Sequence, residues 1–181
     1  MRFRDVSPFG ATIIEPEPAA DGRGVFARLF DREAFRGRGL PTEFVQASTS
    51  YNSRRGTLRG LHYQAEPYAE TKLVRCTAGA VFDVIVDVRY GSPSFGRWQS
   101  FELTANNRLT LVVPAGFAHG FETLADDSEI FYQMTRPHVA VAERGVIWSD
   151  PDLAIAWPLP PALLSERDRN LPSLRSLVTG P

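Results

Sequence analysis

A short stretch of the chain, GTLRGLHYQ at residues 56–64, carries a permanent cation and a titratable base close together. Arg59 and His62 lie three positions apart in a run that otherwise has the pattern of a strand, and regular alternation would place them on opposite faces. Gly60 between them allows the strand to bend, so both side chains could face one ligand. A guanidinium beside an imidazole suits a charged ligand from which a base removes a proton.

Polar residues also interrupt other apolar, β-rich runs. Lys72 begins KLVRCTAG, His119 lies in PAGFAHGF, and Tyr132 ends EIFY. Asp83 and Asp87 both interrupt VFDVIVDVR. Each has a simple structural interpretation, since Lys72 and Asp87 could form a solvated face. Asp83 could bond to the backbone, and Tyr132 could be a core aromatic residue with its hydroxyl at the rim.

Several of these residues form a chemically coherent set. The inward-facing side chains of a small β-barrel converge at its mouth. The residues expected to meet there are His62, Lys72, His119 and Tyr132. They supply a base, a cation, a second imidazole and a weak acid. Arg23 and Arg59 add guanidinium groups suited to phosphate oxygens. The combination predicts a phosphate-bearing substrate whose proton is removed by a base on one side and returned by an acid on the other.

Period-two alternation in the middle of the chain predicts the elements that position these residues. Short β-rich runs are separated by turn signals such as YGSPSFG, ANN and ADDS; the runs are KLVRCTAG, AVFDVIVDVR, WQSFELTA, RLTLVVPAG and SEIFYQMTR. Strands at close spacing, with no long helical segment between them, indicate an all-β antiparallel sandwich or barrel and not βαβ units. Short helices are predicted at Arg32–Gly37 and in ERDRN, where Ser165 is a candidate N-cap.

Length and composition set further limits. The 181 residues and the formal net charge of −1 indicate one domain, residues 1–181, with no long-range field toward nucleic acid or an anionic membrane. Cys76 is the single cysteine, which excludes an internal disulfide, and its apolar neighbours indicate a buried structural thiol. The N-terminal MRFRDVSPFG lacks an apolar signal region, and no apolar run reaches about 18 residues. We therefore expect a soluble, cytoplasmic protein.

A jelly roll leaves strand edges and one sheet face that need covering. Pairing with a second copy of the chain is a usual way to cover them. On the basis of fold class alone, we expect a homodimer.

A metal site is the main alternative use for the histidines. Metal-binding double-stranded β-helices commonly combine a His-x-His pair with a carboxylate and a later histidine. Here Gln64 stands two residues after His62, and no His-x-His pair occurs in the chain. The sequence therefore favours a site without a metal.

Four longer motifs give the chain a resemblance to a known family. GTLRGLHYQ, KLVRCTAGAVFDVIVDVRYGSPSFGRW, VPAGFAHGF and ERGVIWSDPDLAIAWP occur in the order and form typical of the dTDP-4-dehydrorhamnose 3,5-epimerase family. The chain resembles that family from about Asp21 to about Pro172. The resemblance implies a metal-free cupin fold, a double-stranded β-helix or jelly roll with short flanking helices, which is usually dimeric. It also implies an isomerase that acts on nucleotide-linked 4-keto-6-deoxy sugars without a cofactor.

The resemblance assigns roles at the reacting centre. His62 would be the base that removes a proton beside the 4-keto group, and Tyr132 the acid that returns one. Imidazole suits the first role because it titrates near working pH, and a phenol is ordinarily protonated there. Asp168 would pair with His62 and hold its tautomer. Lys72 would lie beside the sugar oxygen on which enolate charge develops.

The nucleotide side of the resemblance is mixed. The positions that match the family are Arg23, Gln46, Arg59, His119, Glu143 and Arg167, the last where lysine is common. The positions that depart from it are Arg28, where glutamate is usual, Ser48, where asparagine is usual, and His138, where a tyrosine stacks on thymine. A dTDP-linked substrate is the leading expectation, but Arg28 offers only donors to a base edge, so another nucleotide stays open.

Three alternatives remain at this point. One is an epimerase that acts at C3 or C5 alone, since the outcome depends on ring flipping and pocket shape. Another is a keto-isomerase on a related scaffold. The third is a non-catalytic nucleotide-sugar-binding jelly roll, which fold alone would permit. The His62, Asp168 and Tyr132 set favours epimerisation, because a pure binding module needs none of the three.

Overall fold

The computed structural model describes residues 1–178 and consists mainly of two antiparallel sheets. The first sheet has six strands. Their order is β1 (Arg2–Val6), β2 (Ala11–Glu15), β10 (Thr110–Val113), β7 (Lys72–Ala78), β12 (Ser128–Met134) and β5 (Gln46–Asn52). Strands distant in sequence are neighbours in this sheet, so the chain crosses repeatedly between sheets.

The second sheet has five strands. Their order is β13 (Glu143–Gly145), β6 (Leu58–Gln64), β11 (Phe117–Thr123), β8 (Ala80–Asp87) and β9 (Trp98–Thr104). Every pairing in both sheets is antiparallel. The predicted all-β sandwich is confirmed, and its architecture is the jelly roll that the resemblance implies.

The core lies between the two sheets because alternate residues of each strand face inward. Val74 and Ile130 of the first sheet pack in one cluster with Ile85 and Phe121 of the second. Cys76 belongs to the same cluster, and burial raises the pKa of its thiol to about 11. The predicted buried structural thiol is therefore confirmed.

Two short helices flank the sheets, as predicted. Helix α1 (Arg32–Gly37) begins after Asp31, whose side chain accepts a hydrogen bond from the Ala34 N–H. Phe35 of this helix packs on the outer face of the first sheet and extends the apolar cover over β2, β7 and β10. Helix α2 (Glu166–Arg169) has Ser165 as its N-cap. Two 3₁₀ turns, Ala140–Ala142 and Leu174–Leu177, complete the helical elements of residues 1–178.

A small hairpin projects from the sandwich before α1. It is formed by β3 (Ala19–Asp21) and β4 (Gly24–Phe26), and every residue of both strands is exposed. Phe26 leaves 77% of its surface exposed, an unusual amount for a phenylalanine. The hairpin pairs with neither large sheet of its own chain.

Asp87 is a structural residue at the end of β8. Its side chain is fully buried and accepts hydrogen bonds from Arg89, Ser92 and Ser94 in the following loop. The interpretation of Asp87 as part of a solvated face is wrong, because this loop folds back over the carboxylate.

None of the helices within residues 1–178 has the length and hydropathy needed to cross a bilayer.

Candidate active site

A pocket of about 230 Å³ opens between the two sheets. Most of the residues predicted to bind or transform a substrate line it: Gln46, Ser48, Arg59, His62, Lys72, His119, Tyr132, His138 and Glu143. The other lining residues were not predicted: Gln64, Glu70, Gly120, Phe121, Met134 and Arg136. The pocket is therefore built from six strands, three from each sheet, with the loop after β12 at its rim.

Close contact between β6 and β11 forms the floor of this pocket. His62 and His119 are directly opposite each other across these strands, and the register shifts between His119 and Phe121. Gly60 has a φ of +122°, and a Cβ placed on it would lie 2.6 Å from the Gly120 Cα. Glycine is needed at both positions because the two backbones approach too closely for side chains. The bend expected at Gly60 is thus present, and it coincides with a bulge in β6, where the three steps from Arg59 to His62 oppose two steps along β11.

His62 is bonded to a carboxylate from the far end of the chain. Its Nε2 lies 2.6 Å from Asp168 Oδ1, and the Gly60 N–H donates to Asp168 Oδ2 at 3.3 Å. Although burial opposes it, the hydrogen bond with His62 lowers the pKa of the Asp168 carboxyl. An ionised Asp168 accepts the Nε2 proton, so Nδ1 of His62 is left with the lone pair that a base requires.

Tyr132 and Lys72 reach the pocket from the opposite sheet. Burial, and secondarily the negative charge of Asp83, raises the pKa of the Tyr132 phenol well above its ordinary value. Tyr132 therefore stays protonated at any physiological pH and can donate. Lys72 Nζ lies 3.2 Å from Glu70 Oε1, and both side chains are largely buried. The carboxylate holds the ammonium in position at the pocket wall.

His119 has a carboxylate partner of its own. Its Nε2 lies 2.8 Å from Asp83 Oδ2, and its ring packs edge-on against Tyr132 with the ring centroids 6.0 Å apart. The suggestion that Asp83 bonds to the backbone is wrong, because β8 places it diagonally across from His119, which is opposite Ile85. Among residues 1–178, no group of three or more His, Cys, Asp or Glu side chains is arranged to hold a metal ion.

The rim is held by charged and amide side chains. Glu143 lies 2.8 Å from Arg167 and 3.6 Å from the His138 ring, which is more than half exposed. Gln64, absent from the predicted site, accepts the Val139 N–H at 2.6 Å and donates to Glu70 at 2.9 Å. Arg167 contacts Glu143, which lines the pocket, but does not line the pocket itself. Gln64 could not be identified from sequence because its partners lie in two separate loops.

Arg23 and Arg28 lie outside the pocket of their own chain. Arg23 is at the tip of the β3–β4 hairpin, where its side chain is 91% exposed and lies 2.6 Å from Asp21. Arg28 lies 3.0 Å from Asp31, the N-cap of α1. Arg59, by contrast, lines the pocket and donates to Asn52 at 2.7 Å.

Comparison with known proteins agrees with this geometry. A family model described as dTDP-4-dehydrorhamnose 3,5-epimerase matches residues 7–176. The dTDP-4-dehydrorhamnose 3,5-epimerase of Sinorhizobium fredii is 47% identical over 98% of this chain and 91% of its own.

Two solved structures have the same fold. The dTDP-6-deoxy-D-glucose-3,5-epimerase of Legionella pneumophila, in complex with dTDP-4-keto-L-rhamnose, has a TM-score of 0.90 and 38% identity, with 96% of this chain and 93% of that one covered. A 3'-monoepimerase of Streptomyces bikiniensis, in complex with dTDP-quinovose, has a TM-score of 0.90 and 37% identity, with 97% of this chain and 89% of that one covered. The extent of these matches shows that the chain is an isomerase of the dTDP-4-dehydrorhamnose 3,5-epimerase family.

Proposed function

We propose that this enzyme epimerises a dTDP-linked 4-keto-6-deoxy sugar, converting dTDP-4-dehydro-6-deoxyglucose to dTDP-4-dehydrorhamnose. The carbons on either side of a ketone carry acidic hydrogens, because their loss gives an enolate. Inversion then needs a base on one face of the sugar and an acid on the other. The observation that carries the proposal is that His62 and Tyr132 enter one pocket from opposite sheets.

The proposed base is His62. Its Nδ1 takes a proton from C3 or C5, and Asp168, 2.6 Å from Nε2, stabilises the imidazolium that forms. Asp168 is 5% exposed in its side chain, so its charge acts through a poorly screened environment.

Lys72 and Tyr132 complete the proposed reaction. The ammonium of Lys72 stabilises negative charge on the ketone oxygen as the enolate forms. Tyr132 then donates its phenolic proton to the carbanionic carbon from the face opposite His62. Because burial keeps the phenol protonated, it is ready to donate in every turnover.

Recognition of a dTDP group is supported by the bound ligands of relatives and by the rim of the pocket. The structures from L. pneumophila and S. bikiniensis hold dTDP-linked sugars. Arg59 offers a guanidinium for the pyrophosphate, and His138 offers a ring that can stack on a base. Ser48 and Glu143 line the same pocket and would contact the nucleotide.

Proton NMR of dTDP-4-keto-6-deoxyglucose incubated with the enzyme in heavy water tests this function. We expect the C3 and C5 hydrogen signals both to disappear as the product forms. Loss of one signal alone would identify a single-site epimerase. Such an outcome has a precedent, because the S. bikiniensis structure that is 37% identical to this chain is a 3'-monoepimerase. Exchange at neither carbon, with dTDP-, UDP- and GDP-linked substrates, would leave only the binding-module alternative.

We also propose that the enzyme is a homodimer in which each β3–β4 hairpin reaches the pocket of the other copy. The hairpin is fully exposed, and β5, one of the two edge strands of the first sheet, contributes Gln46 and Ser48 to the pocket. Arg23, at a nucleotide-sugar position by resemblance, lies outside the pocket of its own chain and would enter that of its partner. Size-exclusion chromatography with light scattering should give twice the mass of one chain, and a monomer at working concentration would contradict the proposal.

A further inference from the structure

The pocket contains two carboxylate–imidazole pairs side by side, and they differ in their surroundings. His62 pairs with Asp168 and His119 with Asp83, in each case through Nε2. The His62 side chain is 30% exposed, whereas that of His119 is 5% exposed and that of Asp83 is fully buried. Residues of the same types are therefore placed in a partly open site and in a closed one.

The closed pair has no other group to neutralise it directly. Asp83 Oδ1 is buried without a hydrogen-bond partner in residues 1–178, and Oδ2 bonds only to His119 there. Lys72, whose charge acts on Asp83, is itself paired with Glu70 at 3.2 Å. An ionised Asp83 beside a neutral His119 would have a net negative charge, which is costly in this buried position. The pair should therefore hold one proton more than that and be neutral overall.

The extra proton fixes what the pocket side of His119 can do. If the proton is on the ring, both ring nitrogens carry hydrogen. If it is on the carboxyl group, that group donates to Nε2 and the ring hydrogen must be on Nδ1. Nδ1 is a donor in both forms, and it has no hydrogen-bond partner within residues 1–178 while the ring lines the pocket.

The two carboxylates respond to their environments in opposite directions. Burial raises the pKa of Asp83 in spite of the nearby His119 and Lys72. The pKa of Asp168 is lowered, because its hydrogen bonds with His62 and the Gly60 N–H outweigh burial. Paired titratable groups whose environments diverge in this way take different roles in catalysis.

We propose that Asp83 is a positioning residue that keeps His119 as an Nδ1–H donor to a negatively charged oxygen of the substrate, so that His62 is the only base of the two imidazoles. The inference deepens the proposed epimerase function and rests on it. The His119 ring packs against the Tyr132 ring, which places the Nδ1–H donor at the level of the reacting centre. The oxygen belongs either to the sugar or to the phosphate attached to it.

The protonation state can be measured directly, in the free enzyme and without a variant of Asp83. The chain has three histidines, so ¹⁵N-histidine labelling gives a spectrum simple enough to assign with His138→Gln and His62→Gln. We expect Nδ1 of His119 to carry hydrogen throughout the neutral range, and Nδ1 of His62 to be bare when neutral. A bare Nδ1 on His119 would overturn the proposal whatever reaction the enzyme catalyses.

Matched substitutions at the two carboxylates test the consequence for turnover. In Asp83→Asn the amide can donate to Nε2 and so preserve the Nδ1 donor, and kcat/KM should fall by no more than about tenfold. Asp83→Leu has a similar volume but no donor, and should lose about 100-fold or more, as for removal of an oxyanion donor. Asp168→Asn removes the charge that supports the base and should lose about 10³-fold or more.

Each outcome of this comparison is decisive. Equal activity of Asp83→Asn and Asp83→Leu, with unchanged melting temperatures, would mean that Asp83 only fills space. Asp83→Asn as inactive as Asp168→Asn would mean that the charge of Asp83 is required, which the proposal denies. Calorimetry of Asp83→Leu with dTDP then identifies the oxygen. Weakened dTDP binding indicates a phosphate oxygen, and unchanged binding with reduced kcat indicates a sugar oxygen.

Discussion

His62 and Tyr132 face the same pocket from different sheets, His62 on β6 and Tyr132 on β12. A sugar ring held between the sheets would present one face to the imidazole and the other to the phenol. Removal and return of a proton are thereby assigned to different side chains on opposite faces. The same residue cannot perform both steps with inversion, and this separation allows the two steps to be dissected.

Tyr132→Phe should uncouple exchange from inversion. The base is intact, so deuterium from heavy water should still enter the substrate, but only His62 can return it and the original configuration is restored. Epimerised product should fall by about 10²-fold or more while exchange continues. NMR of the recovered substrate measures both quantities. Loss of exchange in parallel with product would indicate that Tyr132 is also needed for proton removal.

His62→Asn should abolish proton removal and leave nucleotide binding intact. We expect kcat to fall by about 10³-fold, within the usual range for loss of a general base. The dissociation constant for dTDP, measured by calorimetry, should change by less than about twofold. His138→Asn is the matched control at the rim, where KM should rise and kcat should be nearly unchanged. A large loss of dTDP binding in His62→Asn would place the imidazole on the nucleotide instead.

His138→Tyr should strengthen binding of dTDP. His138 is exposed at the rim and lies 3.6 Å from Glu143, so a larger ring can be accommodated there. Replacing imidazole by phenol enlarges the stacking face, and an aromatic pair contributes about 1 kcal/mol, or roughly fivefold in affinity. Calorimetry with dTDP, UDP, CDP and GDP measures the gain. If dTDP is unaffected and another nucleotide binds best to the unaltered enzyme, the assignment of dTDP is wrong.

Asp87→Asn should destabilise the fold without altering the pocket directly. The substitution weakens the charged hydrogen bonds with Arg89 and two serines, and we expect a loss of about 3 kcal/mol in the free energy of unfolding. Glu33→Gln is a suitable control, because Glu33 and Arg36 form an exposed pair 2.6 Å apart. That control should cost less than about 0.5 kcal/mol in chemical denaturation.

The stabilisation by Asp87 should depend on pH in a defined direction. Although burial opposes it, hydrogen bonds from Arg89, Ser92 and Ser94 hold the pKa of Asp87 far below its ordinary value. A carboxyl with a lowered folded-state pKa contributes stability above the unfolded pKa, about 3.9, and loses it as pH falls toward the folded value. The stability difference between the parent and Asp87→Asn should therefore be constant near neutrality and shrink below about pH 4. A difference that grows in acid would contradict this sign.

Mixed dimers of Arg23→Ala and His62→Ala should recover activity that neither variant has alone. If Arg23 serves the partner's pocket, one of the two pockets in a mixed dimer contains both wild-type residues. Random pairing after co-expression should then restore about one quarter of the parent activity per chain. If Arg23 serves its own pocket, both sites of the mixed dimer remain defective and no recovery occurs.

Local patterns were sufficient to predict some of these features, while others depended on contacts between distant segments. Alternation predicted the inward-facing positions of Lys72 and Tyr132, and Ser165 was correctly predicted as a helix cap. The partner of His119 could not be predicted, because its identity depends on the register of β8 against β11. The burial of Asp87 was missed for a related reason, since a later loop covers it.

The contact between Gly60 and Gly120 limits how this enzyme can change over evolution or in the laboratory. A methyl group at Gly60 would meet the Gly120 Cα at 2.6 Å, and one at Gly120 would meet the Arg59 carbonyl oxygen at 2.7 Å. Neither position can vary alone, and a paired change would still force the strands apart and shift His62 relative to His119. We therefore expect new substrate preferences to come from lining residues such as His138 and Ser48, which the family resemblance marks as departures, while Gly60 and Gly120 must remain glycine.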